Sequence, residues 1–250
     1  VIASFDGSAG VAFSAASVGA LVNPSGTWGT TADVIDYLRG KRTLEGGTFR
    51  TRTSLIGAVI NAEPAISRDD GVAYVASGEG MLHAVDTRDD PGKELWAFVP
   101  RSVLPDIGQT SARAYSFKTQ LDGTPVVGKT GLTSKLLVAG MGAAGRAYYA
   151  IDVSTPRGLS EAQLASKAKW EFPAAGDGTT AAKVGQTLGR PVVVRVSGGG
   201  YVVLVTSGYN NSDGKGRVWM LDPSSGSSLH EFTVADGSAG SESGLAPVSP

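Results

Sequence analysis

Three groups of residues in this sequence have types and spacing that could carry chemistry. Gly140-Met-Gly142-Ala-Ala-Gly145 satisfies G-x-G-x-x-G and follows the apolar run Leu136-Leu-Val-Ala139. Between a strand and a helix, such glycines let backbone amides approach a dinucleotide pyrophosphate, and Glu161 stands about where an acid would meet the ribose. Asn210-Asn-Ser-Asp-Gly214 is the nearest approach to a calcium loop, but it offers one carboxylate and no closing Glu. Tight calcium sites need about six to eight oxygens. His83 and His230 each stand alone, as expected of packing or hydrogen-bonding residues rather than metal ligands. Cysteine is absent, which excludes disulfides, thiol catalysis and Cys-type zinc sites. No G-x-S-x-G elbow or H-E-x-x-H pair is present.

The elements that must position these residues repeat. Ala73-Tyr-Val-Ala-Ser-Gly78 is followed by Gly80, then Met81-Leu-His-Ala-Val-Asp86, then Lys93-Glu-Leu-Trp96. The same order recurs as Leu136–Gly140, Gly145, Ala147–Asp152 and Lys169-Trp170, and again as Val203–Gly208, Gly216, Arg217–Asp222 and Leu229–Phe232. Each copy opens on a Pro-plus-apolar stretch at Pro64, Pro125 or Pro191. The unit is therefore strand, turn, strand, Gly turn, strand ending in Asp, turn, and a strand with an aromatic. Four antiparallel strands per unit, repeated, make an all-β propeller of four-stranded blades. The repeats lie 66 residues apart from Asp86 to Asp152 and 70 from Asp152 to Asp222. A bare blade needs about 40–50, so the surplus falls in loops at 101–120, 154–168 and 174–189.

This register decides the role of the glycines. Ala147–Val153 is β-branched and aromatic, and it occupies the slot of Met81–Asp86 and Val218–Asp222. A strand, not a helix, is expected after Gly145. Gly140, like Gly78 and Gly208, is a hairpin-turn residue, and no nucleotide is expected. Asp86, Asp152 and Asp222 are expected to accept turn amides, and Trp96, Trp170 and Phe232 to be buried between neighbouring blades.

Glycine dominates the composition, at 35 of 250 residues against an average share near 7%. The net charge of −1 gives no bulk attraction for nucleic acid or an anionic membrane. No apolar run approaches the ~20 residues of a membrane span. Residues 1–62 are expected to close a preceding blade and to carry a short helix at 31–39, capped by Thr30 and stopped by Gly40. Blades follow at 63–123, 124–189 and 190–234, and 235–250 is expected to be a flexible tail. Ser160-Glu-Ala-Gln163 has the spacing of a capping box and opens a second short helix in the middle blade. The chain begins at Val1 in mid-pattern, as expected of a piece of a longer protein.

Several strings occur together in order: Tyr37-Leu-Arg-Gly40, Ile56-Gly-Ala-Val-Ile-Asn61 running to Pro64, Gly80–Asp86 and Gly92–Pro100. Leu121–Pro125, Gly140–Val153 and Ser207-Gly-Tyr-Asn-Asn211 continue them. From about residue 37 onward the chain resembles the C-terminal propeller of the PilY/PilC family of type IV pilus proteins. Ala58, Ala62 and Val85 depart from the expected Asp, Ser and Phe. The resemblance implies a quinoprotein-like, modified seven-bladed propeller at the cell surface, reached through the periplasm. It implies a non-enzymatic role in pilus assembly, retraction control and adhesion. Its partners would be minor pilins and the pilus machinery, a host or abiotic surface, and the remaining blades. It also implies calcium in the intact protein, held by an acidic loop just after Pro250, and no cofactor within this stretch.

Two other readings share the blade pattern. Ala84-Val-Asp86…Gly92…Trp96 also fits quinone-dependent dehydrogenases, whose site needs more blades and adjacent cysteines. A periplasmic scaffold for outer-membrane protein assembly shares the repeat without the Tyr37–Gly40 and Gly80–Pro100 strings.

Overall fold

The structure, a computed structural model, describes residues 1–241 and 243. It begins with β1 (Ile2–Phe5), β2 (Gly10–Ala12), α1 (Ala15–Val22) and α2 (Thr31–Leu38). The first repeat supplies β3 (Ala65–Ser67), β4 (Val72–Ser77), β5 (Met81–Asp86) and β6 (Glu94–Val99). After α3 (Leu104–Ile107) come β7 (Val126–Lys129), β8 (Lys135–Gly140) and β9 (Tyr148–Asp152). Then follow α4 (Glu161–Lys167), β10 (Ala168–Phe172) and α5 (Gly178–Lys183). The last blade is β11 (Val192–Arg195), β12 (Tyr201–Thr206), β13 (Arg217–Leu221) and β14 (Ser228–Thr233).

Each repeat forms an antiparallel sheet in which consecutive strands are neighbours. These are propeller blades. Strand alternation gives each blade two faces. Tyr74, Leu82, Trp96 and Phe98 of the first blade share one buried cluster with Leu137, Ala139, Tyr149 and Ile151 of the second. The second blade's opposite face, with Tyr148, Ala150, Trp170 and Phe172, packs on Val203, Val205, Trp219 and Leu221 of the third. Burying such large side chains between sheets is the main favourable term holding blade to blade.

The amino-terminal residues do not close a preceding blade. β1 pairs in parallel with β6, matching Ile2 to Ala97 and Ser4 to Val99, and β2 pairs with β1. The first blade's sheet thus has six strands. The reason is local. β6 has a free outer edge, the whole of β1 is buried, and the Ser4 hydroxyl donates to the Val99 carbonyl at 2.7 Å. Phe13, Val18, Val22, Val34, Ile35, Tyr37 and Phe49 join the same core.

α2 and α4 match the expected helices. Thr30 caps α2, and Ser160 with Gln163 forms the capping box of α4. Among the described residues, three further α-helices exceed the one or two short helices expected. α1 lacks a first-turn acid, but Ser14 caps it. Its Gly19 lies against α2, where an added Cβ would come within 2.5 Å of Thr31. α3 and α5 sit in the long loops; Asp177 caps α5. The described part of 235–250 is docked rather than free. Ser243 donates its amide to Gly214 O at 2.9 Å and accepts from Gly216 N at 2.9 Å. Residue 242 and residues 244–250 lie outside the described residues, as does the acidic loop expected after Pro250.

Candidate functional site

The glycine motif is a β8–β9 hairpin followed by a strand, and it is plugged from the next blade. The Met141 amide donates to Ala147 O at 3.1 Å and to the Thr187 hydroxyl at 2.8 Å, while Thr187 N donates to Gly145 O at 3.1 Å. Thr187 lies in the segment leading into β11. Its backbone passes so close that a Cβ on Gly140 would sit 2.6 Å from Thr187 O. Gly208, with φ of +65°, is approached instead by the lead-in to its own blade, Gln186 O lying 1.9 Å from an added Cβ. Gly78 donates to Ala58 O at 2.7 Å and accepts from Gln120 N at 2.8 Å. These glycines therefore admit backbone from a lead-in segment, and within the motif the Met141 amide is committed to Ala147 and Thr187. Glu161 is far from that role. It pairs with Arg39 and accepts from Ile2 N at 3.3 Å, tying α4 to the amino-terminal strands.

The aspartates and tryptophans build the seams between blades. Asp86 accepts from the amides of Arg88, Asp89 and Asp90, Asp152 from Ser154, and Asp222 from Ser224 and Ser225. The segments after Asp152 and Asp222 reach the previous blade's outer strand. The Trp96 indole donates to Pro156 O at 2.8 Å, and Trp170 donates to Pro223 O at 2.9 Å. Both rings are buried.

Phe232 does not take the third position. Trp96 stands opposite Ala84 and Trp170 opposite Ala150, but Met220 stands opposite His230. Phe232 is opposite Val218, the register of Phe98 and Phe172. It is 51% exposed because no described sheet covers that face, and its ring lies 4.3 Å from that of His230. Aligning the copies by their last aromatic shifts the strand by two residues, which keeps the face and changes the position.

Sequence reasoning missed Arg157 and Glu171. Arg157 forks onto both carboxylate oxygens of Asp86, at 3.0 and 2.6 Å, and onto Asp89 at 2.6 Å. That guanidinium holds the Asp86 carboxyl far below the usual carboxylate range. Its only sequence signal is its place just after Pro156. Glu171 accepts from the amides of Arg101 and Ser102, and enclosure of its carboxyl pushes the pKa up to about 7 despite those donors.

The remaining candidates for chemistry are occupied. Asp213, the acid of the 210–214 loop, is gripped by both terminal nitrogens of Arg217, which holds its carboxyl well below the usual range. Asn211 spends its amide on Lys183 O and Lys215 O. This loop does not fit calcium, and among the described residues no group of three His, Asp or Glu side chains could hold a metal. His83 bridges Ser77 at 3.0 Å and Glu94 at 2.7 Å, an order that resembles nucleophile, base and acid. Ser77 is 1% exposed, and the adjoining cavity is only about 20 Å³. That space admits no acyl substrate, so the three groups serve as a hydrogen-bonded tie across β4, β5 and β6.

A family model described as the PilY1 beta-propeller domain matches residues 56–249. The Xylella fastidiosa protein named type IV pilus biogenesis factor PilY1 homolog is 27% identical over 87% of this chain. The Pseudomonas aeruginosa (strain UCBPP-PA14) protein named type IV pilus biogenesis factor PilY1 is 26% identical over 81%. This chain spans only 17% and 19% of the length of those two relatives. The crystal structure of the Pseudomonas aeruginosa PilY1 C-terminal domain aligns with 66% of this chain and 30% of its own, at 24% identity and a TM-score of 0.49.

Proposed function

The chain belongs to the PilY1 β-propeller family, and on that premise we propose that it is the propeller region of a type IV pilus biogenesis factor. The family match over 56–249 carries this reading, because it spans all three blades and their seams. The propeller acts as a non-enzymatic scaffold. Its rigid seams hold the long loops at 101–120 and 174–189, and loops on a rigid frame are where recognition concentrates. Those loops contact minor pilins or the assembly machinery during pilus assembly and retraction control, and surface adhesion follows from presentation outside the cell. No helix among the described residues is long and apolar enough to cross a membrane.

The test is deletion of residues 56–249 from the whole protein in its host, with surface pili counted in strains with and without a retraction motor. Fewer pili with retraction intact, restored when the motor is removed, is the expected outcome. Unchanged piliation and unchanged surface attachment would overturn the reading.

Calcium regulation belongs to the same proposal, for the intact protein and not for the described residues. Calorimetry of this chain should show no micromolar calcium binding, because Asp213 is already committed to Arg217. The whole protein should bind calcium. A calcium-insensitive whole protein, or tight binding by this chain, would contradict it.

A further inference from the structure

The inner strands of the three blades end alike. Pro64 precedes Arg68, Pro125 precedes Lys129, and Pro191 precedes Arg195, each by four residues. Lys129 and Arg195 close β7 and β11, and Arg68 follows β3 directly. All three are exposed. Other cations nearby are neutralised: Lys135 by Asp70 at 2.7 Å and Arg190 by Glu63 at 2.6 Å. The side chains of Arg68, Lys129 and Arg195 have neither an ion pair nor a hydrogen bond among the described residues.

The strand ends lie side by side. An added Cβ on Gly128 would stand 2.3 Å from Val193 Cβ, so β7 and β11 are in close contact. β3 packs on β7, and Arg68 and Lys129 line one cleft of about 270 Å³ with Ile66, Val127 and Gly128. Asp69 is the one acid there that is not already paired. Ile66 is 62% exposed. Each of β3, β7 and β11 is also the end strand of its sheet, so one side of its backbone lacks a strand partner. Charged ends guard such edges against self-pairing, but either sign of charge would serve, and all three blades use a cation.

We propose that this inner rim is a docking site for an acidic polypeptide segment. Three unneutralised cations attract carboxylates, free strand edges match a peptide backbone, and Ile66 with Val127 gives an apolar contact beside the charge. Nucleic acid fits less well. The whole chain carries a charge of −1, and the cleft presents no aromatic ring for base stacking.

The test uses the full 250-residue chain and a fluorescein-labelled peptide, acetyl-Glu-Glu-Leu-Glu-Glu-amide, with anisotropy read at low salt. Saturable binding is expected, weakening severalfold or more between about 50 and 200 mM salt. The combined Arg68→Gln, Lys129→Gln and Arg195→Gln variant should bind about tenfold or more weakly. The same charge change at Lys41, Lys93 and Lys118, all exposed and outside the inner strands, should alter binding less than about twofold. Thermal melts check the fold. If the triple variant is destabilised, the single changes Lys129→Gln and Arg195→Gln must each still weaken binding. Absence of saturable binding, equal weakening by both sets, or an oligothymidine that binds where the peptide does not would overturn the proposal. The readout is peptide binding alone, so it stands or falls separately from the pilus reading.

Discussion

The two seams of this molecule share a device and differ in the polar ties around it. Between the first and second blades, charge does the stitching: Arg157 clamps Asp86 and Asp89, and Glu171 receives the Arg101 and Ser102 amides. Between the second and third, neutral ties dominate, beside the ion pair of Lys183 with Glu231 at 3.0 Å. Thr187 plugs the Gly140 hairpin, Tyr148 donates to Thr206 O at 3.0 Å, and Phe172 meets Trp219 edge-on at 5.2 Å. Common to both is a buried indole donating to a proline carbonyl in the next blade. The shared part sets the spacing of the blades, and the rest is free to vary because apolar burial already supplies most of the adhesion.

The largest expected effect tests the shared part. Trp96→Ala and Trp170→Ala should each cost roughly 3–5 kcal/mol, measured by denaturant unfolding. A loss at one seam only would break the equivalence of the two. Gly140→Ala separates them. Its Cβ must displace Thr187 O, so a cost of about 1–3 kcal/mol is expected from overcrowding at the second seam. A change within error would mean that the plug is loose.

A pH series addresses the charged seam. The Glu171 pKa is raised from 4.5 to about 7, so the folded state holds the proton more tightly than the unfolded chain. This group favours folding most below pH 4.5, and that advantage is lost as pH rises toward 7. Glu171→Gln should flatten the stability profile across that window, and an unchanged slope would assign the carboxyl to solvent. The smallest effect belongs at the uncovered face. Phe232→Ala should change stability by no more than about 0.5 kcal/mol, in contrast to its buried counterparts Phe98 and Phe172. A cost like that of Trp170→Ala would show that something covers β14.

The repeat was legible because strand period, turn glycines and terminal aspartates agree in all three copies, as locally consistent sequences should. The same signals failed at the ends. β1 reads as any apolar strand, and nothing in Ile2–Phe5 says that it pairs in parallel with β6, a contact 95 residues away. Phe232 was misplaced because an aromatic two residues off still points to the correct face. Arg157, Thr187 and Glu171 act across blades, so each partner looks ordinary in its own segment. The inner-rim cations were visible as residues, but their lack of partners is a property of the fold.

Indole hydrogen exchange tests the seams most directly, with the four tryptophans assigned by Trp→Phe substitution. Trp96 and Trp170 should exchange slowly, because their N–H groups are buried and bonded across the blade boundary, and Trp219 should do so through Glu231 at 3.2 Å. Trp28, half-buried and without such a bond, should exchange fast. Trp96 and Trp170 exchanging as fast as Trp28 would contradict the blade-to-blade register on which every other assignment rests.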